Sequence, residues 1–195
     1  MFKKLNLNSE FIKHITVLMS GTVLAQILGL LLTPIITDIY TPEESAELDL
    51  FVRIVAVVAA LATFRYELAL PITKNDSHSF RLYRVAFRTT IIVTISSLGI
   101  ILLPAIFSIS IEKLIFYLLM PVAIFFLALN NMGTNWAIRN KHFKSISFAR
   151  ITNSVGANLT KIGLGLLNFG SIGLIIGMVL GAILATTLFI FEFIT

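Results

Sequence analysis

The chain has 195 residues, 57% of them hydrophobic, and a mean hydropathy of +0.94. This composition excludes an ordinary soluble domain and is typical of a membrane protein with several spans. The net charge of +5 does not indicate nucleic-acid binding, because the basic residues are grouped in short connections between apolar stretches. The chain has no cysteine, which excludes disulfides, thiol nucleophiles and cysteine-ligated metals.

Six apolar stretches follow one another along the chain, each near the roughly 20 residues that a helix needs to cross about 30 Å of hydrocarbon. They predict an all-α fold, a polytopic bundle of six transmembrane helices near residues 16–36, 48–70, 89–109, 114–138, 146–167 and 172–193. Little sequence lies outside them, so a single domain over residues 1–195 is expected.

Basic residues are concentrated before the first stretch, after the second and after the fourth. This alternation is the positive-inside pattern and predicts a cytoplasmic amino terminus. The residues concerned are Lys3, Lys4, Lys13, Lys74, Arg81, Arg84, Arg88, Arg139, Lys141, Lys144 and Arg150.

The second predicted helix contains four ionisable residues, Asp49, Arg53, Arg65 and Glu67. Each costs roughly 2.5–3.5 kcal/mol at the centre of a bilayer, so such residues normally pair, face water or bind a charged substrate. At about 100° per residue, Asp49 and Glu67 share a face, whereas Arg65 points almost the opposite way. One of Arg65 and Glu67 is therefore expected to meet a neighbouring helix. The alternative is a local Asp49–Arg53 pair with Arg65 reaching the membrane surface.

The fifth predicted helix has a polar stripe over about five turns. Lys161 lies deep within it, about 11 residues from the nearest basic cluster, which favours a water-filled cavity or an anionic ligand. Hydrogen bonding between helices is the alternative for the serines and the asparagine. The stripe consists of Ser147, Arg150, Ser154, Asn158, Lys161 and Gly165.

Weaker patterns mark three other helices. Gly173, Gly177 and Gly181 form a small-residue ridge that predicts close helix packing. Two polar rows are compatible with either packing or cavity lining: Thr22, Gln26, Gly29 and Thr33 in the first helix, and Asn131, Asn135 and Arg139 in the fourth. No phosphate-binding loop, nucleophile elbow or metal spacing occurs, so neither an enzyme nor a cofactor is expected.

Several segments resemble the bacterial polysaccharide biosynthesis flippases of the multidrug/oligosaccharidyl-lipid/polysaccharide exporter superfamily. They are Gly21-Thr-Val-Leu-Ala-Gln26, Pro34-Ile-Ile-Thr-Asp-Ile-Tyr-Thr-Pro-Glu-Glu44, Arg65-Tyr-Glu-Leu-Ala-Leu-Pro71 with Asn75-Asp76, and Asn140-Lys-His-Phe-Lys-Ser-Ile-Ser147 leading to Arg150. The chain departs from the family pattern at Ser45-Ala46, where an aromatic residue and glycine are usual, and at Asp49 and Arg53. It also has six helices, about half the usual number.

The resemblance implies 12 to 14 helices in two lobes around a cationic cavity, working by alternating access. This chain would then be the amino-terminal lobe. Arg65 and Lys161 are the implied contacts to the pyrophosphate of the substrate, with Gln26 and Glu67 nearby. The polar stripes add Asn158, Arg53 and Asp49 to the candidate substrate-binding residues.

The expected function is export of undecaprenyl-pyrophosphate-linked repeat units for O-antigen of lipopolysaccharide or for capsule, in the bacterial inner membrane. The expected partners are membrane lipids, the lipid-linked oligosaccharide, and a second six-helix half or a homodimer partner; the chain itself is expected to be a truncated or half-size form. The alternatives are a multidrug or small-molecule exporter of the same superfamily and a non-transporting membrane scaffold.

Overall fold

The computed structural model describes residues 9–73, 75–105 and 111–194, and every regular element in these ranges is helical. The all-α prediction is confirmed, with six α-helices and one short 3-10 helix. The end of the third predicted helix (106–109) lies outside the described residues, as do Lys3, Lys4 and Lys74. The elements are α1 (Ser9–Ile39), α2 (Pro42–Ala62), the 3-10 helix (Tyr66–Ala69), α3 (Asp76–Ala105), α4 (Ile111–Arg139), α5 (Phe143–Leu166) and α6 (Gly170–Ile194).

Three helices of the described part are long and apolar enough to cross a membrane: α1 over Thr16–Ile39, α4 over Lys113–Arg139 and α6 over Gly170–Phe191. These three helices mark the chain as a membrane protein by length and composition. The other three helices, α2, α3 and α5, carry more polar and charged residues.

Each of the three more polar helices packs against at least one of the apolar ones. Helix α5 lies between α1 and α6, α2 packs on α4 and α6, and α3 packs on α4. The largest core cluster joins α2, α4 and α6, and includes the edge-to-face ring pair of Phe51 and Phe116 at 5.3 Å. The polar helices are thereby held beside apolar ones.

The predicted glycine ridge of α6 is the contact surface for α5. A Cβ added to Gly177 would lie 2.5 Å from the Cγ of Lys161 and 2.9 Å from the carbonyl oxygen of Ala157. A Cβ at Gly181 would meet Asn153 and Ala157 at 2.7–2.8 Å. The predicted close helix approach is confirmed. Helix α5 of the same chain covers the ridge, so the ridge is not available for contact with a second copy of the chain.

Helix α2 is shorter at its end than the sequence pattern suggests. It begins with a capping box, in which the Thr41 hydroxyl and the Glu44 carboxylate each accept a hydrogen bond from the other residue's backbone N–H. It ends at Ala62, and Phe64 (φ 47°) and Arg65 (φ 59°) then take left-handed conformations. The expectation of one helix over 48–70 is therefore wrong beyond Ala62. No glycine or proline marks this break, and the apolar pattern of the sequence continues through it. The sequence therefore gives no sign that the helix ends here.

Candidate functional site

The serines of the polar stripe on α5 hold that helix against α1. The Ser147 hydroxyl donates to the carbonyl of Val17 over 2.8 Å, and the Ser154 hydroxyl donates to the carbonyl of Ala25 over 2.9 Å. A Cβ added to Gly21 would lie 2.2 Å from that of Ser147, so the helices touch at this level. Both serines thus bond to the backbone of α1, and interhelical hydrogen bonding explains them.

Lys161 lies where α1, α5 and α6 meet. Its aliphatic stem passes over Gly177 of α6, and its backbone carbonyl accepts a 2.7 Å hydrogen bond from the Tyr40 hydroxyl at the end of α1. The side chain is partly buried, and no carboxylate of the described residues lies within 4.0 Å of its ammonium. An ammonium in this position needs water or an anionic ligand.

The hydrogen bond from Tyr40 also orders the junction between α1 and α2. Burial raises the pKa of the Tyr40 phenol, and the negative charge of Glu44 raises it further. The hydroxyl therefore remains protonated and donates its hydrogen bond. A Cβ added to Gly165 would lie 2.9 Å from the Tyr40 ring, and Gly165 follows Lys161 by about one turn. Lys161 is thus held in place through its backbone on one side and its stem on the other.

The outer face of α2 carries charges and small side chains together. Asp49 and Arg53 are exposed, and beyond them runs a shallow groove of about 550 Å³ that ends at Arg65. The groove is lined by Ala56, Val57, Ala60, Leu61, Phe64 and Arg65. The exposed charges Asp49 and Arg53 and the groove that ends at Arg65 thus share the outer face of α2, and the buried Glu67 does not belong to this face.

The break after Ala62 decides which of Arg65 and Glu67 is exposed. Arg65 is exposed, whereas Glu67 is 2% exposed on the 3-10 helix, which packs against α3 and α4. The expectation that one of the two meets a neighbouring helix is confirmed. The expectation that Glu67 shares a face with Asp49 is wrong, because the helix ends between them.

Glu67 is buried without a full set of partners. Its Oε2 atom has no hydrogen-bond partner in the described structure. An unsatisfied carboxyl oxygen costs free energy when it is removed from water.

The alternative of a local ion pair between Asp49 and Arg53 is not observed. Throughout the described ranges the only ion pair joins Arg139 to Asp76. Both α2 charges therefore remain unpaired on the outer face of the bundle.

The remaining candidates, Gln26 and Asn158, belong to the α1–α5 side of the bundle. Gln26 is exposed on α1, and Asn158 is partly buried one turn before Lys161 on α5. The structure thus divides the predicted site into two groups. Gln26, Asn158 and Lys161 lie on one side, and Asp49, Arg53 and Arg65 lie on the outer face of α2.

Arg139 has a structural role that sequence reasoning did not identify. Its NH1 group donates to the carbonyl of Leu70 over 3.0 Å, to the Thr73 hydroxyl over 2.8 Å and to the Thr73 carbonyl. Its NH2 group pairs with Asp76 at 2.6 Å. Arg139 therefore fastens the connection between α2 and α3. The spacing from Asn131 and Asn135 marks a polar face on α4, but it does not reveal partners more than 60 positions away.

In the part of the chain that the structure describes, no three His, Asp or Glu residues are grouped so as to hold a metal ion. The chain matches no family model, no curated protein and no solved structure. The geometry of the charged residues therefore carries the functional interpretation.

Proposed function

We propose that the chain is one six-helix lobe of a transporter that flips lipid-pyrophosphate-linked oligosaccharides across the bacterial inner membrane. The observation that carries this proposal is the charged outer face of α2. Asp49, Arg53 and Arg65 point away from the bundle, and none of them has an ion-pair partner in the described residues.

Helix α2 crosses the membrane in this proposal because of its length and its neighbours. Its 21 residues extend about 31 Å, which matches the hydrocarbon thickness. It packs on α4 and α6, which are both apolar enough to span. Charged side chains in a membrane span normally face a bundle interior or a water-filled cavity. The outward-facing charges of α2 therefore require a second helical lobe opposite them, with a water-filled cavity between that lobe and α2.

The cations suit a pyrophosphate ligand. An arginine presents a planar fork that binds phosphate oxygens in a bidentate manner, and a lysine adds a compact charge. Arg53 and Arg65 supply two forks on the α2 face, and Lys161 supplies an unpaired ammonium at the α1–α5–α6 junction. Gln26 and Asn158 offer hydrogen bonds to sugar hydroxyls. Two such lobes rocking about a midplane site give alternating access.

The second lobe can be another polypeptide, a second copy or further sequence. The glycine ridge of α6 does not supply the contact, because α5 covers it. The amino terminus lies in the cytoplasm in this proposal. Cysteines introduced at Glu44 and at Ser77 test the orientation in intact cells. An impermeant maleimide should label position 44 only. Labelling of position 77 alone would show that the amino terminus lies on the other side of the membrane.

Transport itself is tested by reconstituting the chain in liposomes with a fluorescent lipid-linked oligosaccharide, alone and with a candidate second lobe. Flipping should require both lobes. Lys161→Met keeps the stem over Gly177 and removes the charge, so flipping should fall about tenfold or more. Lys113→Met is the matched control, since Lys113 is exposed at the start of α4 and lies outside both site groups.

Four results would contradict the proposal. The first two are unchanged flipping by Lys161→Met and Arg65→Ala, and saturable flipping by the monomeric chain. The third is efflux of a cationic dye with no flipping of the oligosaccharide, which would identify a small-molecule exporter. The fourth is a complex that transports neither compound, which would identify a scaffold.

A further inference from the structure

The first turns of α3 present an uncompensated basic surface. Arg81, Arg84 and Arg88 are all exposed, and their spacing of three and seven residues places them within about 60° of one another. The only acidic residue of α3 is Asp76, which is paired with Arg139. None of the three arginines has an ion pair within the described residues. Their charges are therefore available to an anion from outside.

An aromatic layer connects this basic surface to the interior. The Arg84 guanidinium lies 5.1 Å above the Phe80 ring. Phe80 and Tyr83 both contact Trp136 edge to face, at 6.5 and 5.5 Å between ring centroids. Tryptophan and tyrosine are enriched where a membrane protein crosses the lipid headgroup level. The layer thus has the chemistry of a headgroup boundary, with cations on its outer side.

Beyond Trp136 lies a cavity of about 120 Å³ between α3, α4 and α6. Its walls are mostly apolar and include Phe87, Leu129 and Phe189, and Asn140 and His142 line its polar side. The hydroxyl of Thr186 in its wall already donates to the carbonyl of Ala182 over 2.8 Å. Apolar cavities of about this size stay dry and accept hydrocarbon guests. The end of an acyl chain fits this space in both size and polarity.

We propose that this end of α3 and α4 binds one anionic membrane phospholipid, with its phosphate on Arg81, Arg84 and Arg88 and an acyl chain reaching past Trp136 into the cavity. The cavity and the aromatic layer favour a lipid over a soluble phosphate. The arginines favour an anionic lipid over a zwitterionic one, because no free carboxylate on α3 is available to an amine headgroup. This site does not depend on the proposed transport function.

Trp136 is the only tryptophan of the chain, so its fluorescence reports on this site alone. The full chain is reconstituted in vesicles in which phosphatidylcholine is replaced stepwise by brominated phosphatidylglycerol or by brominated phosphatidylcholine. Bromine quenches tryptophan only at close range. Brominated phosphatidylglycerol should quench Trp136 at a several-fold lower mole fraction than brominated phosphatidylcholine. Equal quenching by the two lipids would overturn the proposal.

Three variants separate the two parts of the site. Arg84→Gln should weaken binding of the anionic lipid about fivefold, and the triple change of Arg81, Arg84 and Arg88 to Gln should remove the preference. Leu129→Phe fills the cavity and should weaken quenching by both lipids with the preference kept. Lys113→Gln, which removes a cation at the opposite end of α4, is the matched control.

A soluble competitor distinguishes a lipid from a free phosphate. Millimolar glycerol phosphate should leave the quenching by brominated phosphatidylglycerol unchanged. Displacement by glycerol phosphate, or a preference that survives the triple substitution, would show that the arginines and the cavity do not act as one lipid site. Thermal unfolding of each variant in detergent verifies that it is folded.

Discussion

Arg65 and Glu67 are separated by a single residue, yet Arg65 is exposed at the end of the α2 groove and Glu67 is buried, 2% exposed. In an uninterrupted helix the two side chains would also point nearly opposite ways, but Glu67 would share the face of Asp49. The left-handed turn at Phe64 and Arg65 exchanges the two residues. Arg65 thereby lies on the outer face with Asp49 and Arg53, and Glu67 lies on the 3-10 helix that packs against α3 and α4.

Replacing Arg65 by glycine should raise the stability of the fold and at the same time abolish flipping. A left-handed residue other than glycine costs roughly 1–2 kcal/mol, so Arg65→Gly should stabilise the fold by about 1 kcal/mol while flipping is lost. Arg53→Gly, an exposed arginine within the regular part of α2, should instead destabilise it by about 0.5–1 kcal/mol. Thermal unfolding in detergent measures both. The same sign of change in the two variants would show that the turn at Arg65 is not strained.

The packing of α5 on α6 should tolerate no side chain at Gly177. A methyl group there would meet the Ala157 carbonyl and the Lys161 backbone nitrogen at 2.9–3.0 Å, and backbone atoms cannot move aside cheaply. Gly177→Ala should therefore destabilise the bundle by about 1–3 kcal/mol. Gly163→Ala is the control, because no atom lies within 4 Å of the added carbon. It should be neutral or stabilise by up to about 1 kcal/mol. Equal stability of the two variants would contradict the close packing.

Removal of Arg139 should loosen the connection between α2 and α3. Arg139→Gln removes the charge-assisted hydrogen bonds to the Leu70 carbonyl and the Thr73 hydroxyl, at a cost of about 1–3 kcal/mol, and the Leu70 carbonyl keeps only its bond from that hydroxyl. Arg139→Lys should recover only part of the loss, because an ammonium cannot reproduce the fork. Lys144→Gln at an exposed site should have little effect. Hydrogen exchange of residues 70–79 measures the loosening. Unchanged protection in Arg139→Gln would refute this role.

The sequence predicted the features that depend on spacing within a single helix. The glycine ridge of α6 and the stripe of α5 both exist as faces, because helical periodicity decides them. Spacing could not identify what each face meets. Ser147 and Ser154 would suit a cavity wall as well as a contact between helices. Only the position of α1 shows that they bond to its carbonyls.

Neither the end of α2 nor the partners of Arg139 could be predicted from the sequence, and the reasons differ. The turn at Phe64 and Arg65 uses residues that rarely adopt a left-handed conformation, so no local signal marks it. The bonds of Arg139 join α4 to a connection more than 60 residues earlier, and tertiary packing alone brings them together.

Water access to the outer face of α2 tests the proposed lobe most directly. The chain has no native cysteine, so Ala56→Cys and Ala60→Cys each place one thiol in the α2 groove, and Leu159→Cys places one on the exposed apolar face of α5. The assembled transporter in its native membrane is treated with a charged, water-soluble thiosulfonate. Positions 56 and 60 should react much faster than position 159, and the lipid-linked oligosaccharide should slow their reaction. If positions 56 and 60 are as unreactive as 159, the charged face of α2 does not border a water-filled cavity.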